Sequence, residues 1–530
     1  MNEGNYKTVK QYLGVELLKY SLNYPENIKW DASATELNLK DIQKYALGVL
    51  LDTTTKARIQ FINEGGFGDG FAFVIDRYSI GDENIFTYCR KLCGGAIPYS
   101  TNEDALLSFV EKIAIREYPN LLLTIINNPF ASRFNLNMTN RQEQDEFIKL
   151  VKGDTLNKLT NSQENLDYCF MFETTNKLSF SRQVCLACDI IISRAFQNCC
   201  NKMAYAIDDL LKEINNSINS LRSLSKNEEA IFSMFIGVQG VVFDKINSID
   251  LSNCVFRALD SRGNPGTHSN SILTTHSEEG VSFISGGVIE IKYTTKVEHL
   301  GGNCGPALSQ QLFLFANQCF ENIRFALCFS LNEDYSFPHK FIENGFPLVM
   351  LGNYHPFGDY PKKYLKIAPG SIVDFKYWYQ ALSTVDRKHI QVPLARLKYA
   401  IYERDTPEDS IVDAIIAWES IFSSRTDTTR HVTNSIARFL KQENERAPFL
   451  RKLKNFYGLR SDLVHGRKNE LSKEDREQIR SETIRIGLEC LKKLISEPDL
   501  LKLKPEERVK KIMPTPNRVN MFFEYLRNKF

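Results

Sequence analysis

The chain has 530 residues, of which 43% are hydrophobic, 25% are charged and 11% are aromatic. This composition is that of a folded protein with room for two to four domains, and it excludes a largely disordered chain. No apolar run approaches the ~20 residues that a membrane-spanning helix requires, so no membrane contact is predicted.

Charge is unevenly distributed along the chain. The formal net charge is +2, but residues 391–530 carry 28 Lys and Arg against 21 Asp and Glu, which leaves −5 for the remainder. A basic C-terminal module is compatible with phosphate binding, because each neutralised phosphate releases counterions. A solvated helix face explains such a cluster equally well.

The twelve cysteines lack the regular spacing of a disulfide scaffold, and the polar segment Met1–Lys7 does not resemble a signal peptide. The pattern predicts a reducing, cytoplasmic location. Four thiols form a candidate zinc site: Cys185, Cys188, Cys199 and Cys200. Because they lie in a helical pattern without a second Cys-x2-Cys pair, core thiols are the preferred interpretation.

Residues 1–228 are predicted to form a mixed α/β region. Helical periodicity covers Leu39–Leu51, while Ala57–Ile62 and Phe71–Ile75 alternate as strands do. The glycine-rich segment Gly65–Gly70 between them lacks a Lys-Ser/Thr ending and precedes a strand. It is therefore interpreted as a hairpin connection and not as a phosphate-binding loop.

The rest of this region is predicted to be largely helical. Residues 103–127 predict a helix followed by a strand, and Arg182–Leu221 predicts a long helix. The segment Asn215–Asn227 is polar enough to predict a domain boundary.

Residues 229–390 are predicted to form a β-rich middle domain with an exposed loop at Ser261–Asn270. The predicted strands include Met234–Val238, Val241–Phe243, Val281–Ile284, Gly287–Tyr293 and Phe325–Phe329.

Glu290 and Lys292 resemble the Glu-x-Lys half of a metal-dependent nuclease motif. Candidate upstream metal ligands are Asp260, Glu278 and Glu279. Because a three-residue pattern often arises by chance, a strand with a polar outer face explains it better. A metal-dependent nuclease is kept as a third functional hypothesis.

Residues 391–530 show helical patterns only and predict a four- or five-helix bundle. Pro407 starts one helix, and Thr428–Thr429 can cap the next. Ala447–Pro448 is predicted to break the chain before a third helix, and Ser472 opens the last long one.

The third of these helices carries a charge on its apolar face. At about 100° per residue, Arg460 lies in the middle of the apolar stripe. The stripe consists of Leu453, Phe456, Tyr457 and Val464. Because an unpaired buried guanidinium costs several kcal/mol, Arg460 must pair with an acid or line a cleft that takes an anion.

Glu419 lies within the apolar arc of the helix that Pro407 starts, between Val412 and Ile415. An ion pair between Glu419 and Arg460 across two packed helices would satisfy both charges. A purely structural buried ion pair is the alternative to a functional one.

His465 follows Arg460 by five residues and precedes Gly466, a natural helix stop. Five residues correspond to about 140° of rotation, so the two side chains do not converge on a straight helix. Either the helix unwinds at Val464–Gly466, or two copies of the segment meet at a two-fold axis.

Arg460 and His465 resemble the Arg-x4-His motif of HEPN-domain ribonucleases, and Tyr457–Gly466 is similar to the ApeA-like branch of that superfamily. The similarity covers about residues 393–497. Members often carry Asn, Asp or His directly after the Arg, where this chain has Ser461. The auxiliary polar role would therefore fall to Ser461 or Asp462.

The resemblance implies a metal-independent endonuclease that cleaves RNA, with tRNA as one candidate, to 2′,3′-cyclic phosphate and 5′-OH ends without a cofactor. His465 would act as general base or general acid, and Arg460 would neutralise charge on the pentavalent phosphate. Tyr457 would stack on a base or, by preference, pack. Lys454 and Arg467 are candidate RNA-binding cations.

The same resemblance implies a homodimer through the bundle, and a role in antiviral defence by abortive infection in which residues 1–390 sense a phage-derived trigger. The competing hypothesis is a non-catalytic dimerisation or RNA-binding module in which the pair of Arg460 and Glu419 is structural.

Overall fold

The computed structural model describes residues 3–25, 39–63, 74–75, 77–127, 138–161, 168–258, 274–278, 281–300, 310–331, 339–349, 365–423, 427–467 and 471–513. The protein is mixed α/β, with antiparallel sheets in its N-terminal half and a helical C-terminal region. This confirms the coarse fold class, while the HEPN identity of the bundle stays a prediction. In the described ranges no helix is long and apolar enough to cross a membrane.

The chain divides into two compact units. Unit 1 comprises Met1–Phe320 with Pro338–Tyr360, and unit 2 comprises Glu321–Phe337 with Pro361–Phe530. The predicted division into 1–228, 229–390 and 391–530 stays a prediction of domain organisation.

Helices make up much of unit 1. They are α1 (Glu3–Ser21, kinked at Gly14), α2 (Asp41–Asn63), α3 (Ile85–Leu92), α4 (Ala105–Asn127), α5 (Arg141–Gly153), α6 (Val184–Lys202), α7 (Ile207–Ser225) and the first part of α8 (Gln310–Leu331). A 3-10 turn covers Thr155–Leu159. Helix α5 has a capping box, in which Asn140 accepts from the Glu143 N–H at 3.0 Å and Glu143 accepts from the Asn140 N–H.

Within unit 1 the described residues form three antiparallel sheets. The strands are β1 (Ser79–Ile80), β2 (Glu83–Asn84), β3 (Thr160–Asn161), β4 (Cys169–Thr174), β5 (Ser179–Gln183), β6 (Ala230–Gln239), β7 (Val241–Phe243), β8 (Ser248–Asp250), β9 (Cys254–Ala258), β10 (Thr274–Glu278), β11 (Val281–Thr295), β12 (Val297–Leu300) and β13 (His339–Asn344). The largest sheet has the order β13-β6-β11-β9-β8, with β10 also pairing β11. In a second sheet β12, β3 and β5 pair with β4, and β1 pairs with β2.

Strand β11 runs through the middle of the largest sheet. Its register places Glu290 opposite Phe235 of β6 and Val255 of β9, and Lys292 opposite Ser233. Since residues that are directly opposite share one face of a sheet, these positions all project to the same side. That side carries the polar groups described below.

Unit 2 is mainly helical. Besides the last part of α8 and a short strand β14 (Leu365–Ile367), it contains α9 (Ile372–Thr384), α10 (Gln391–Lys398), α11 (Pro407–Ile421), α12 (Thr428–Leu440), α13 (Glu443–Val464), α14 (Lys473–Ile495), α15 (Pro498–Leu501) and α16 (Pro505–Ile512). Shorter helical turns cover Pro369–Ser371, Arg387–His389 and Tyr399–Glu403.

Helix α11 lies at the centre of this bundle and packs against α10, α12, α13 and α14. Its Trp418 is fully buried and donates its indole N–H to the Thr483 carbonyl of α14 at 3.1 Å. Gly487 permits this approach, because a Cβ there would lie 2.8 Å from Leu397 Cδ2 and 3.3 Å from Trp418 Nε1. A glycine inside a helix is thus explained by close packing.

Two predicted helix starts are confirmed, whereas the predicted cap at Thr428–Thr429 is wrong, because Asp427 is the N-cap of α12 and its side chain forms no capping bond. Thr406 accepts from the Asp409 N–H at 3.2 Å, one residue before Pro407 begins α11. Ser472 accepts from the Asp475 N–H at 3.0 Å and caps α14.

Some segments that were predicted as strands from their local pattern are parts of longer helices. The predicted strands Ala57–Ile62 and Phe325–Phe329 are helical, in α2 and α8, and residues 103–127 end as helix α4 and not as a strand. A short apolar run does not by itself distinguish a buried helix from a strand. The segment Gly65–Gly70 and the loop Ser261–Asn270 lie outside the described residues.

Two predicted interruptions are also wrong. Asn215–Asn227 is not a linker, because α7 continues to Ser225. Pro448 lies inside α13, which begins five residues earlier at Glu443 and absorbs the proline in its second turn.

Candidate functional site

The candidate site lies in unit 2, where α11 packs against α13. Glu419 lies near the end of α11 and receives two groups from α13. The Tyr457 hydroxyl donates to Glu419 Oε1, and Arg460 Nη2 lies 3.8 Å from Glu419 Oε2. The predicted contact between Glu419 and Arg460 is therefore confirmed, with Tyr457 as a second partner of the same carboxylate.

The ion pair is only partly shielded from solvent. The side chains of Arg460 and Glu419 are 27% and 22% exposed. At 3.8 Å the pair is a charge contact without hydrogen-bond geometry, and an ion pair of this exposure contributes about 0–1 kcal/mol to stability. Stability alone is therefore a weak explanation for placing a guanidinium here.

Arg460 retains unused donor capacity. Its Nε atom is buried and forms no hydrogen bond with any of the described residues. Since a buried donor without a partner costs about 1–3 kcal/mol, the guanidinium is only partly satisfied in this chain. Such a group is suited to receive an anion with oxygen acceptors.

Tyr457 acts as a neutral hydrogen-bond donor to Glu419. Burial, followed by the hydrogen bond to the Glu419 carboxylate, raises the pKa of Tyr457 well above its usual range. The hydroxyl therefore keeps its proton at neutral pH. Tyr457 positions the Glu419 carboxylate through this hydrogen bond and does not act as a proton acceptor. The ring is 9% exposed, in agreement with the prediction that it packs.

Helix α13 ends as the sequence predicts. Gly466 adopts a left-handed φ of 64°, its N–H bonds to the Leu463 carbonyl at 3.2 Å, and the Arg467 N–H bonds to the Asp462 carbonyl at 2.9 Å. This is the Schellman arrangement, in which glycine avoids the steric cost of the left-handed conformation.

His465 is the residue at this helix end. Its N–H still bonds to the Ser461 carbonyl at 3.1 Å, so the backbone follows the helix up to His465 and does not turn back at Val464. The imidazole is exposed, and among the described residues nothing bonds to it. Among the described residues no hydrogen bond joins His465 to Arg460, and the choice between the two predicted arrangements stays a prediction.

The other predicted residues surround the helix end. Ser461 and Asp462 are half-buried, and the Asp462 carboxylate accepts from Arg467 at 3.0 Å in an exposed ion pair. Lys454 is exposed, but six residues before Arg460 it points about 120° away around the helix. Val464 was expected on the buried stripe and is 51% exposed, which is a wrong prediction.

Glu290 and Lys292 lie in unit 1, on β11. The Glu290 carboxylate accepts from Arg257 Nη2 and from the Ser233 hydroxyl, both at 2.7 Å. Although burial opposes ionisation, the Arg257 charge and the Ser233 hydrogen bond leave the pKa of Glu290 below its usual range. Glu290 is thus held as a carboxylate by an arginine, a role that does not need a metal.

No group of three or more His, Cys, Asp or Glu in the described ranges is arranged to hold a metal ion. Of the candidate upstream ligands, Asp260 and Glu279 lie outside those ranges. Cys188 and Cys199 are buried in α6, and burial raises the pKa of both thiols. Buried thiols of this kind pack as small apolar side chains do.

The sequence analysis did not predict the roles of Arg257, Ser233 and Arg508. Arg257 and Ser233 partner Glu290 only because β9 and β6 flank β11, a pairing that no local pattern reveals. Arg508 is 1% exposed and donates to four backbone carbonyls, on His389, Ile421, Leu500 and Leu501. The position of Arg508 on the apolar face of the short helix α16 was a signal of its burial in the sequence.

Comparison with protein-family models, with curated proteins and with solved structures finds no match to this chain.

Proposed function

We propose that unit 2 is a metal-independent endoribonuclease of the HEPN type, with Arg460 and His465 as its catalytic residues. The observation that carries the proposal is the state of Arg460: a half-buried guanidinium, weakly paired with Glu419 and with an unused Nε donor. A scissile phosphate would supply the oxygen acceptors that the protein does not.

The two residues have complementary tasks. In the proposed reaction His465 takes the proton of a ribose 2′-OH, whose oxygen attacks the adjacent phosphorus, while the 5′-oxygen leaves with a proton. The products are a 2′,3′-cyclic phosphate and a 5′-OH end. Arg460 neutralises the charge that develops on the phosphorane oxygens, and Tyr457 and Glu419 hold it in place.

This chemistry requires a second copy of the chain. His465 is exposed at the end of α13, and among the described residues no hydrogen bond joins it to Arg460 of its own chain. In the proposal two bundles meet so that both copies of Arg460 and His465 face one cleft, which supplies a base and an acid together. RNA is the substrate, with tRNA as one candidate, and no cofactor takes part.

A non-catalytic function is the second candidate, and the exposure of His465 favours it. In that case the bundle binds RNA or a second copy of the chain, and the pair of Arg460 and Glu419 is structural. The resemblance to ApeA-like proteins further leads us to propose an antiviral role in which the remainder of the chain responds to a phage-derived trigger.

The test is cleavage of total RNA or tRNA in EDTA by the wild type, His465→Ala and Arg460→Ala. We expect losses of about 10²–10³-fold for each variant, because each removes a group that acts in the transition state. His431→Ala is the matched control, since this histidine lies in the same unit and its ring bonds to the Asp427 carbonyl.

Two readouts distinguish the candidates. Metal-independent cutting that disappears in His465→Ala and rises more than linearly with protein concentration supports a shared site. Equal cutting by the wild type and both variants contradicts the proposal. RNA binding without cutting, at concentrations where the protein is dimeric, supports the non-catalytic module.

A further inference from the structure

A polar cavity lies in unit 1, where α7 faces β6 and β11. Its volume is about 550 Å³, within the range of small-molecule sites. One wall is α7, and the opposite wall contains Glu290, Lys292 and the first residues of β6. All lining residues are described, and none of them belongs to the proposed ribonuclease site.

The wall formed by α7 is unusual in composition. Its cavity face carries amide and hydroxyl side chains from Asn216, Ser217, Asn219, Ser220 and Ser223. Asn and Ser are weak helix formers, because their side chains compete for backbone hydrogen bonds. Helix stability therefore does not explain their density on one face, and this face offers many hydrogen-bonding groups to a polar ligand.

The charges around the cavity balance one another. Lys202 pairs with Glu213 at 2.8 Å, and Arg257 behind the wall pairs with Glu290 at 2.7 Å. One lysine, Lys292, and one glutamate, Glu229, remain on the lining. With no surplus of either sign, the cavity is poorly suited to a phosphate or another strongly charged group.

Asn198 forms part of the cavity wall and is only 3% exposed. Its Nδ2 donates to Glu213 Oε1 at 3.2 Å and to the Gly345 carbonyl at 3.1 Å, whereas its Oδ1 accepts no hydrogen bond. A buried carbonyl oxygen without a donor costs about 1–3 kcal/mol. Because this oxygen is itself shielded from solvent, Asn198 serves as a fixed part of the wall, and contacts to a ligand fall to the more exposed amides and hydroxyls of α7.

We propose that this cavity binds an uncharged, hydroxyl-rich ring: a sugar, either free or as part of a nucleoside. Hydroxyl groups donate and accept hydrogen bonds, and the amides, serines and carboxylates of the lining match both capacities. Phe232 and Pro347 supply apolar surface for the C–H face of the ring. The site is independent of RNA cleavage.

The experiment uses the full-length chain and measures saturation-transfer NMR and calorimetric titration. The probes are D-glucose, D-ribose, adenosine and uridine, with ribose 5-phosphate and AMP as charged counterparts. Free sugars and nucleosides distinguish the two sources of the ring. We expect at least one uncharged probe to bind, and its phosphorylated form to bind no more tightly.

Asn219→Leu and Asn215→Leu form a matched pair on α7. Asn219 Nδ2 donates to Asn215 Oδ1 at 2.6 Å, so both variants break the same hydrogen bond, but only Asn219 lines the cavity. We expect about tenfold weaker binding in Asn219→Leu and in Ser220→Leu, and unchanged binding in Asn215→Leu. Helix content by circular dichroism checks that all three fold.

Three results overturn the inference. The first is no binding of any uncharged probe at millimolar concentration to the wild type. The second is equal affinity of the wild type, Asn219→Leu and Ser220→Leu. The third is markedly tighter binding of the phosphorylated probes, which would show that charge and not hydroxyl groups is recognised.

Discussion

Each unit of this protein contains an arginine paired with a glutamate, and the two pairs are built differently. In unit 1 Arg257 and Glu290 are 2.7 Å apart with side chains 16% and 7% exposed. In unit 2 Arg460 and Glu419 are 3.8 Å apart with side chains 27% and 22% exposed. The first pair has hydrogen-bond geometry and the second does not, although each arginine keeps one buried nitrogen without a hydrogen-bond partner, Nη1 of Arg257 and Nε of Arg460.

The difference indicates what each pair can do. A buried, hydrogen-bonded pair is costly to break, because removing one partner leaves the other charge in a poorly solvated place. A looser, partly solvated pair contributes little stability and can exchange its partner for a ligand. The comparison therefore favours a structural role for Glu290 and shows that Arg460 is the more weakly paired of the two arginines.

Arg257→Ala is expected to produce the largest effect on stability. It leaves Glu290 buried without its cation, and a loss of about 3–5 kcal/mol is expected, against about 1 kcal/mol or less for Arg460→Ala. Urea unfolding by circular dichroism, with hydrogen exchange of β11 peptides, measures both. Equal losses in the two variants would remove the distinction between the pairs.

Arg508→Met tests a third way of burying an arginine, with carbonyl groups in place of a carboxylate. Arg508 bonds to carbonyls at the ends of α11, α15 and the turn at Arg387–His389, where helix dipoles favour a cation. Burial lowers the pKa of Arg508 to about 10, so it stays charged at neutral pH. We expect a loss of about 2–3 kcal/mol, because these carbonyls lose their donor.

Trp418 lies on α11, three residues before Ile421, so its fluorescence reports this unfolding. Arg438→Met is the control, since Arg438 is exposed on α12. An unfolding midpoint for Arg508→Met that equals that of the control would contradict the role of the carbonyl contacts.

The pH dependence of stability separates the two pairs further. Because the folded-state pKa of Glu290 is lowered, its contribution is present above the unfolded pKa of about 4.5 and is lost as the pH falls through the folded value. We expect the wild type to lose stability below about pH 4.5, and Glu290→Gln to lose less over that range. Parallel curves for the two proteins would show that Glu290 is not a main contributor.

Tyr457→Phe is expected to have the smallest effect on stability. It removes the hydroxyl that bonds to Glu419, at a cost of about 1 kcal/mol, and leaves the packed ring in place. If the ribonuclease proposal holds, RNA cleavage falls several-fold because Glu419 and Arg460 lose a positioning contact. Unchanged cleavage would restrict Tyr457 to packing.

The helices of unit 2 were largely predictable, because their signals are local. Pro407 follows the cap residue Thr406, and both Thr406 and Ser472 mark helix starts through hydrogen bonds that span three residues. Gly466 marks a helix end through its left-handed conformation. The contact between Glu419 and Arg460 was predictable for a different reason. A charge on an apolar helix face needs a partner, and few partners were available.

Unit 1 was less predictable, because its polar contacts join residues that are far apart in sequence. Ser233 and Arg257 meet Glu290 through strand pairing, and Asn198 meets Gly345 across 147 residues. The polar segment Asn215–Asn227 shows the limit clearly. Its composition resembles that of a linker. Its helical structure becomes apparent only from α7, which packs in unit 1 and places these amides and hydroxyls on the cavity wall.

The sequence by itself therefore determined the helical character of the C-terminal region, the end of α13 and the need of Arg460 for an anionic partner. Only the tertiary structure decided that His465 is exposed, that Glu290 is held by Arg257, and that α7 lines a cavity. The physical reason is the distance along the chain over which each kind of interaction acts. Caps and periodicity act over a few residues, whereas burial and strand register depend on segments that the chain brings together only on folding.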